Sequence, residues 1–189
     1  MEDIDDIDGK ILVMGVGNIL LRDEGIGVRV LERLEQDYEF SDDVALMDGG
    51  CRGIILTDPI SRCRHLIVVD AVLGDGPPGT VYHLEGDDLR RSLAFKNSMH
   101  DLDLLETLTC CDLIGHRPPA VVVGIEPKDY QTSPSLEISR ELVDKMDDMV
   151  RMVLEEITAA GGSWTLRSDA AERRRGLDSV PSSTAQNGQ

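Results

Sequence analysis

Glu24, Asp70 and His100 are the residues whose types and settings could do chemistry in this chain. Glu24 follows a glycine-rich turn and opens a helix, Asp70 closes an apolar strand, and His100 falls in the first turn of another helix. Two carboxylates and an imidazole gathered at one place could hold a borderline metal such as zinc or nickel. Asp70 stands directly after His65-Leu66-Ile67-Val68-Val69, at the rim of a buried strand, where a charge must find a partner or bind something. Asp48, just before Gly49-Gly50, is set at the same kind of strand end. Its plainest task is to accept backbone N–H groups in its own turn. Glu126 also follows a strand, where Pro127 points to simple chain reversal. His65, His83 and His116 have no acidic or cysteine neighbours in pattern and read as structural.

These side chains must be positioned by the elements around them. Apolar runs predict strands at 11–16, 44–47, 65–70, 80–84 and 120–125, the fourth at an edge. Asp23 can cap a helix running to about Gln36, with Ile26, Val30, Leu31 and Leu34 as its buried stripe. Ser98 can cap a second helix that Gly115 ends, with Asp101 adding negative charge to its first turn. A long final helix is predicted over 136–158, with Leu142, Met146, Met149, Val153 and Ile157 at helical intervals. Strand–helix alternation of this kind predicts an α/β fold: a twisted, mostly parallel sheet of about five strands with helices on both faces. Open sheets of this class bind ligands at the carboxyl ends of their strands, and that edge is where Glu24, Asp70 and His100 would meet.

The chain of 189 residues is long enough for one domain with its own core. It divides into an acidic arm at 1–9, a domain at 10–160 and a segment at 161–189 without apolar period, expected to be a disordered tail. The net charge of −17, from 19 basic and 36 acidic residues, argues against nucleic acid or anionic lipid as partner. No apolar run reaches the 18 residues of a membrane span, and the acidic start is the opposite of a basic export signal. Cys51, Cys63, Cys110 and Cys111 lack the paired spacing of a zinc ribbon or disulfide framework. The expectation is a reduced, cytoplasmic protein in which Cys110 and Cys111 pack as small apolar groups. Gly15-Val16-Gly17 lacks the third glycine of a dinucleotide fingerprint, since Leu20 occupies that position.

The run from Ile11 through Gly15-Val16-Gly17-Asn18-Ile19-Leu20-Leu21-Arg22-Asp23-Glu24-Gly25 to Val28 resembles the opening of the hydrogenase maturation endopeptidases. The resemblance continues through Asp48-Gly49-Gly50-Cys51-Arg52-Gly53, Val68-Val69-Asp70-Ala71, Ser98-Met99-His100 and Val123-Gly124-Ile125-Glu126-Pro127, and covers roughly residues 10–158. It implies an endopeptidase that removes the C-terminal extension from the large-subunit precursor of a nickel–iron hydrogenase. It implies further that Glu24, Asp70 and His100 match the family's metal-binding positions, the metal being nickel already installed in the precursor. Asp48 matches an acid tied to activity or substrate recognition. Where the family usually has threonine this chain has Cys51, whose thiol is a poorer hydrogen-bond donor.

On this reading nickel docks between Glu24, Asp70 and His100, and Asp48 or Asp70 assists attack by water. Two other classes compete. A nickel-dependent maturation chaperone would bind the precursor through the same residues without cutting it. A receiver domain would use Asp70 as phosphoacceptor with Lys128 nearby, but it needs an acidic pair after the first strand, where Gly15-Val16-Gly17-Asn18 offers none.

Overall fold

The computed structural model describes residues 7–86, 99–130 and 134–170, and within the helix at 99–113 it leaves out the side chains of 99–103 and 105. Five strands build the main sheet: β1 (Ile11–Val16), β3 (Val44–Gly50), β4 (His65–Ala71), β5 (Val81–Glu85) and β6 (Ala120–Ile125). Their order is β3-β1-β4-β6-β5. All neighbours are parallel except β5, which runs antiparallel to β6 at one edge. This is the α/β architecture that the strand–helix alternation predicts.

Alternate residues of the central strands enter two separate cores, which is why β1 and β4 read as unbroken apolar runs. On one face, Ile11, Val13, Ile67, Val69 and Val123 pack beneath α1 (Ile26–Asp37) and α5 (Met146–Ala159). On the other, Leu12, Met14, Leu66, Val68 and Val122 pack beneath α2 (Thr57–Arg62) and α3 (Met99–Leu113). Ile7 joins this second core, and Arg62 pairs with Asp8 at 2.6 Å, so the end of the acidic arm is held against the domain.

Three local expectations change. The predicted helix over 136–158 is two pieces, α4 (Arg140–Val143) and α5. Ser139 is extended, with φ −58° and ψ 145°, because its N–H is drawn to Asp23 Oδ1 at 2.7 Å, so helix cannot begin before Arg140. A tight turn then closes with Lys145 N–H donating to Leu142 O at 3.0 Å. That turn keeps the apolar spacing, and the periodicity therefore ran through the break. The second change concerns Asp23, which makes no cap bond to its helix. The third lies inside the segment expected to be a tail: β7 (Trp164–Leu166) pairs antiparallel with β2 (Tyr38–Phe40). Trp164 stands edge-on to Tyr38, with ring centroids 5.4 Å apart, so a tryptophan with a distant aromatic partner orders a stretch that has no period of its own. The proposed Ser98 cap lies outside the described residues.

Candidate active site

The carboxyl edge of the sheet is built around the end of β1. Gly17, at φ +127°, occupies a conformation open to glycine, and a Cβ there would stand 1.8 Å from the carbonyl oxygen of Glu24. That close approach lays the Glu24 turn directly over the strand end. Gly27, the second residue of α1, does the same, since a Cβ there would meet Val69 O at 2.1 Å and Val16 O at 2.4 Å. The start of α1 is thereby seated on the ends of both β1 and β4.

Glu24 itself lies not in the first turn of α1, as the spacing predicts, but in a single 3-10 turn (Arg22–Gly25) just before it. It is 2% exposed. The turn is held from outside. Arg22 adopts the left-handed φ of +53°, donates its N–H to Ser135 O at 2.9 Å and pairs its guanidinium with Asp129 at 2.9 Å. Asp23, fully buried, accepts three backbone N–H groups: Lys128 and Asp129 on Oδ2 at 3.0 and 2.9 Å, and Ser139 on Oδ1. One carboxylate thus ties the Glu24 turn to the loop after β6 and to the approach to α4.

Asp70 is the sixth residue of β4 and is 4% exposed, with Oδ1 accepting from Ala71 N–H at 2.7 Å. It continues the alternation of Leu66 and Val68 and so belongs to the α3 face of the sheet. The Glu24 turn packs against β4. Asp48 stands in register with Gly15 on the far side of β1 and accepts Gly50 N–H at 2.9 Å, the turn-organising role its position predicts. It continues the alternation of Val44 and Leu46, which belong to the α1 face. By strand register Asp48 and Asp70 therefore lie on opposite faces, two strand spacings or about 10 Å apart across the sheet. They are not a carboxylate pair.

His100 stands in the first turn of α3, and its side chain lies outside the described residues. The placement of the helix is clear from its later turns. Thr107 donates to Gly53 O at 3.4 Å, and Leu104 lines a hollow together with Val16, Gly50 and Cys51. The amino end of α3 is accordingly at the carboxyl edge of the sheet, and position 100 is one turn before Leu104. Among the described residues no three His, Cys, Asp or Glu side chains group as a metal site.

Two residues outside the expected set organise the same edge. Asp23 read as a helix cap, and its true partners lie 105 to 116 residues away, beyond any local signal. Glu126, 8% exposed, read as part of a chain reversal. It accepts from Tyr82 Oη at 2.7 Å and from Gly74 N–H at 2.5 Å, and so secures the loop after β4. Burial, and next the bond donated to the Glu126 carboxylate, raise the Tyr82 phenol above its ordinary pKa. Lys128, the candidate lysine of a receiver site, donates Nζ to Glu141 at 2.6 Å.

The family model of the hydrogenase maturation proteases matches residues 28–156, a span that contains Asp48, Asp70 and His100. The hydrogenase 2 maturation protease of Escherichia coli is 37% identical over 153 residues, covering 80% of this chain and 90% of that one. The chain belongs to the hydrogenase maturation proteases. The hydrogenase expression/formation protein HupD of Thiocapsa roseopersicina is 33% identical over 165 residues, covering 86% of this chain and 74% of its own. The solved structure of the hydrogenase maturating endopeptidase HybD from Escherichia coli superposes with a TM-score of 0.80 at 34% identity, over 85% of this chain and 99% of that one. This maturation protease is therefore a peptide hydrolase acting on a hydrogenase large-subunit precursor, from which it removes the C-terminal extension. No described helix is long and apolar enough to cross a membrane.

Proposed function

We propose that this protease cuts only precursor that already carries nickel, and that Glu24, Asp70 and His100 hold that nickel at the carboxyl edge of the sheet. The observation that supports this reading is the convergence of three separate elements there: the Glu24 turn over the end of β1, the end of β4 at Asp70, and the first turn of α3. Carboxylate oxygen and imidazole nitrogen suit a borderline divalent ion. The ion belongs to the substrate, so binding it reports whether the precursor is loaded.

Anchoring the nickel fixes the peptide bond beside it, which turns the attack of water into a step within one complex. A carboxylate at the edge takes the proton from the water as it attacks the carbonyl carbon, and returns it to the leaving amine. Asp70 is the first candidate, because it shares the α3 face with position 100. Asp48 holds the Gly50 turn, and its contribution is to shape the loop against the substrate. In the cytoplasm, where cysteines stay reduced, exposed Cys51 remains a thiol at the same loop.

The test is the intact mass of a cognate large-subunit precursor after incubation with the protease, with and without nickel. Loss of a C-terminal peptide from the loaded form alone supports the gate. Equal cleavage of both forms would overturn it. Normal cleavage of loaded precursor by His100→Ala would overturn the anchor.

A further inference from the structure

A groove of about 720 Å³ runs along the outer side of α5 and ends at Trp164. Its Trp164 end lies by the amino ends of the strands, opposite the carboxyl edge. The Ala160 carbonyl, just past α5, accepts from Arg64, which leads into β4. Gly162 lies against Ile11 and Val44, the first residues of β1 and β3. The floor of the groove is apolar, made by Tyr38, Val150, Leu154 and Trp164. The indole N–H of Trp164 is shared between Leu154 O at 3.3 Å and Thr158 Oγ1 at 3.2 Å. Its polar atom is thus spent while the residue stays 39% exposed, so what it turns to the groove is bare ring.

The rim is acidic. Asp147, Asp148 and Glu155 line it against the guanidinium of Arg151. Arg151 reaches Asp148 at 2.8 Å but Glu155 only at 4.0 Å, and the Asp147 side chain is 82% exposed with Arg33 at 3.8 Å. In a chain of net charge −17 such a rim repels anions and suits a basic occupant that also carries apolar side chains.

The chain holds that pattern itself, next to the groove. Arg167 donates its N–H to Asp37 O at 2.8 Å and its Nε–H to Tyr38 O at 3.0 Å. The Asp37 carboxylate is joined through Arg33 to Asp147. Ala170, the last described residue, is buried. The sequence then reads Ala171-Glu172-Arg173-Arg174-Arg175-Gly176-Leu177-Asp178-Ser179-Val180. Extended chain spans about 3.3–3.6 Å per residue, so three residues past Ala170 cover about 10 Å and ten cover about 33 Å. The stretch of α5 from Asp147 to Thr158 rises only about 16 Å. The arginines can therefore reach the rim, and Leu177 and Val180 the Trp164 end, with chain to spare.

We infer that residues 171–180 occupy this groove within the same chain, the arginines on the Asp147 and Glu155 carboxylates and Leu177 and Val180 over the Trp164 ring. A segment tethered this closely enters at an effective concentration of about millimolar, so contacts too weak to hold a separate peptide suffice. Docked, it covers the open ring and offsets part of the repulsion among the carboxylates.

Trp164 is the sole tryptophan of the chain, so its fluorescence reports the groove directly. The test is acrylamide quenching of the full chain at two protein concentrations, with circular dichroism confirming the fold of each variant. In one variant Arg173→Glu, Arg174→Glu and Arg175→Glu are combined; in a second, Leu177→Ser and Val180→Ser. Turning three attractions into repulsions should lower the docked-to-free ratio at least about tenfold and raise the quenching constant about twofold. The serine variant should raise it likewise, because it removes the groups that cover the ring. Adding Asp147→Arg and Glu155→Arg to the triple-glutamate variant exchanges the signs and should bring quenching back towards the parent value. A variant that had merely lost its fold would not be rescued by substitutions on a different element. Parent-like quenching in both variants would overturn the docking, and so would a loss of shielding that the exchanged charges fail to restore. Shielding that grows with protein concentration, together with a doubled mass in sedimentation, would assign the groove to a second copy and overturn it as well.

Discussion

Replacing Asp23 tests whether the Glu24 turn is positioned from a distance. Its carboxylate accepts three backbone N–H groups at 2.7 to 3.0 Å while fully buried. A hydrogen bond to a charged acceptor contributes about 1.5–3 kcal/mol, and a buried donor left unmade costs about 1–3 kcal/mol. Three independent bonds would set a ceiling of about 4.5–9 kcal/mol. They share one carboxylate, and water entering the vacated space recovers part of the loss, so Asp23→Ala should cost about 3–6 kcal/mol. For a chain of this size that is a fall in Tm of about 6–24 °C. Asp23→Asn keeps one oxygen for Lys128 and Asp129 but turns its amide toward the N–H of Ser139, and should cost about 1.5–3 kcal/mol. Thermal unfolding followed by circular dichroism measures both. Asp23→Asn should also lower kcat/KM for precursor cleavage, because the Glu24 turn loses its tie to α4. If Asp23→Ala melts within about 2 °C of the parent, the three bonds are not what holds the turn.

Gly27→Ala should be more damaging than a typical glycine replacement in a helix, which by propensity alone would gain about 0.5–1 kcal/mol. The new Cβ would stand 2.1 Å from one backbone oxygen and 2.4 Å from another, so α1 must lift off the sheet; a loss of about 3 kcal/mol or more in urea unfolding is expected, and a gain would refute the close seating. Cys63 offers a pH test. Burial raises its thiol from 9.0 to about 12. Because the folded value is raised, the neutral thiol's contribution is complete below pH 9 and is lost as pH climbs from 9 towards 12, by about 2–3 kcal/mol between pH 9 and 11. Cys63→Ala should flatten that alkaline fall, and in the native parent at pH 8 iodoacetamide should label exposed Cys51 and spare Cys63; equal labelling of both would contradict the burial.

Particular residues show where sequence and tertiary structure divide the work. The runs at 11–16, 65–70 and 120–125 declare themselves as buried strands because an apolar stretch of that length between turn residues can be satisfied only with both faces covered. Their alternation with helical periods limits the connections to crossovers, and hence the sheet to a mostly parallel one with its ligand edge at the carboxyl ends. Glu24, Asp70 and His100 could be chosen from that reasoning, since each sits where a local pattern ends. The Asp48 turn was equally legible, because its hydrogen bond spans two residues.

Other features depend on groups far apart in the chain. Asp23 looked like a cap and is instead a hub for N–H groups more than a hundred residues away. The extended Ser139 that splits the last helix follows from that same bond. Trp164 finds Tyr38 across the molecule, and Glu126 finds Gly74 and Tyr82. That Asp48 and Asp70 lie on opposite faces depends on strand order and register, which a strand's own residues do not encode. Periodicity records how a segment meets its immediate surroundings. Which distant donor meets a carboxylate, and which face of the sheet a carboxylate joins, is decided only when the sheet is assembled and the helices are seated on it.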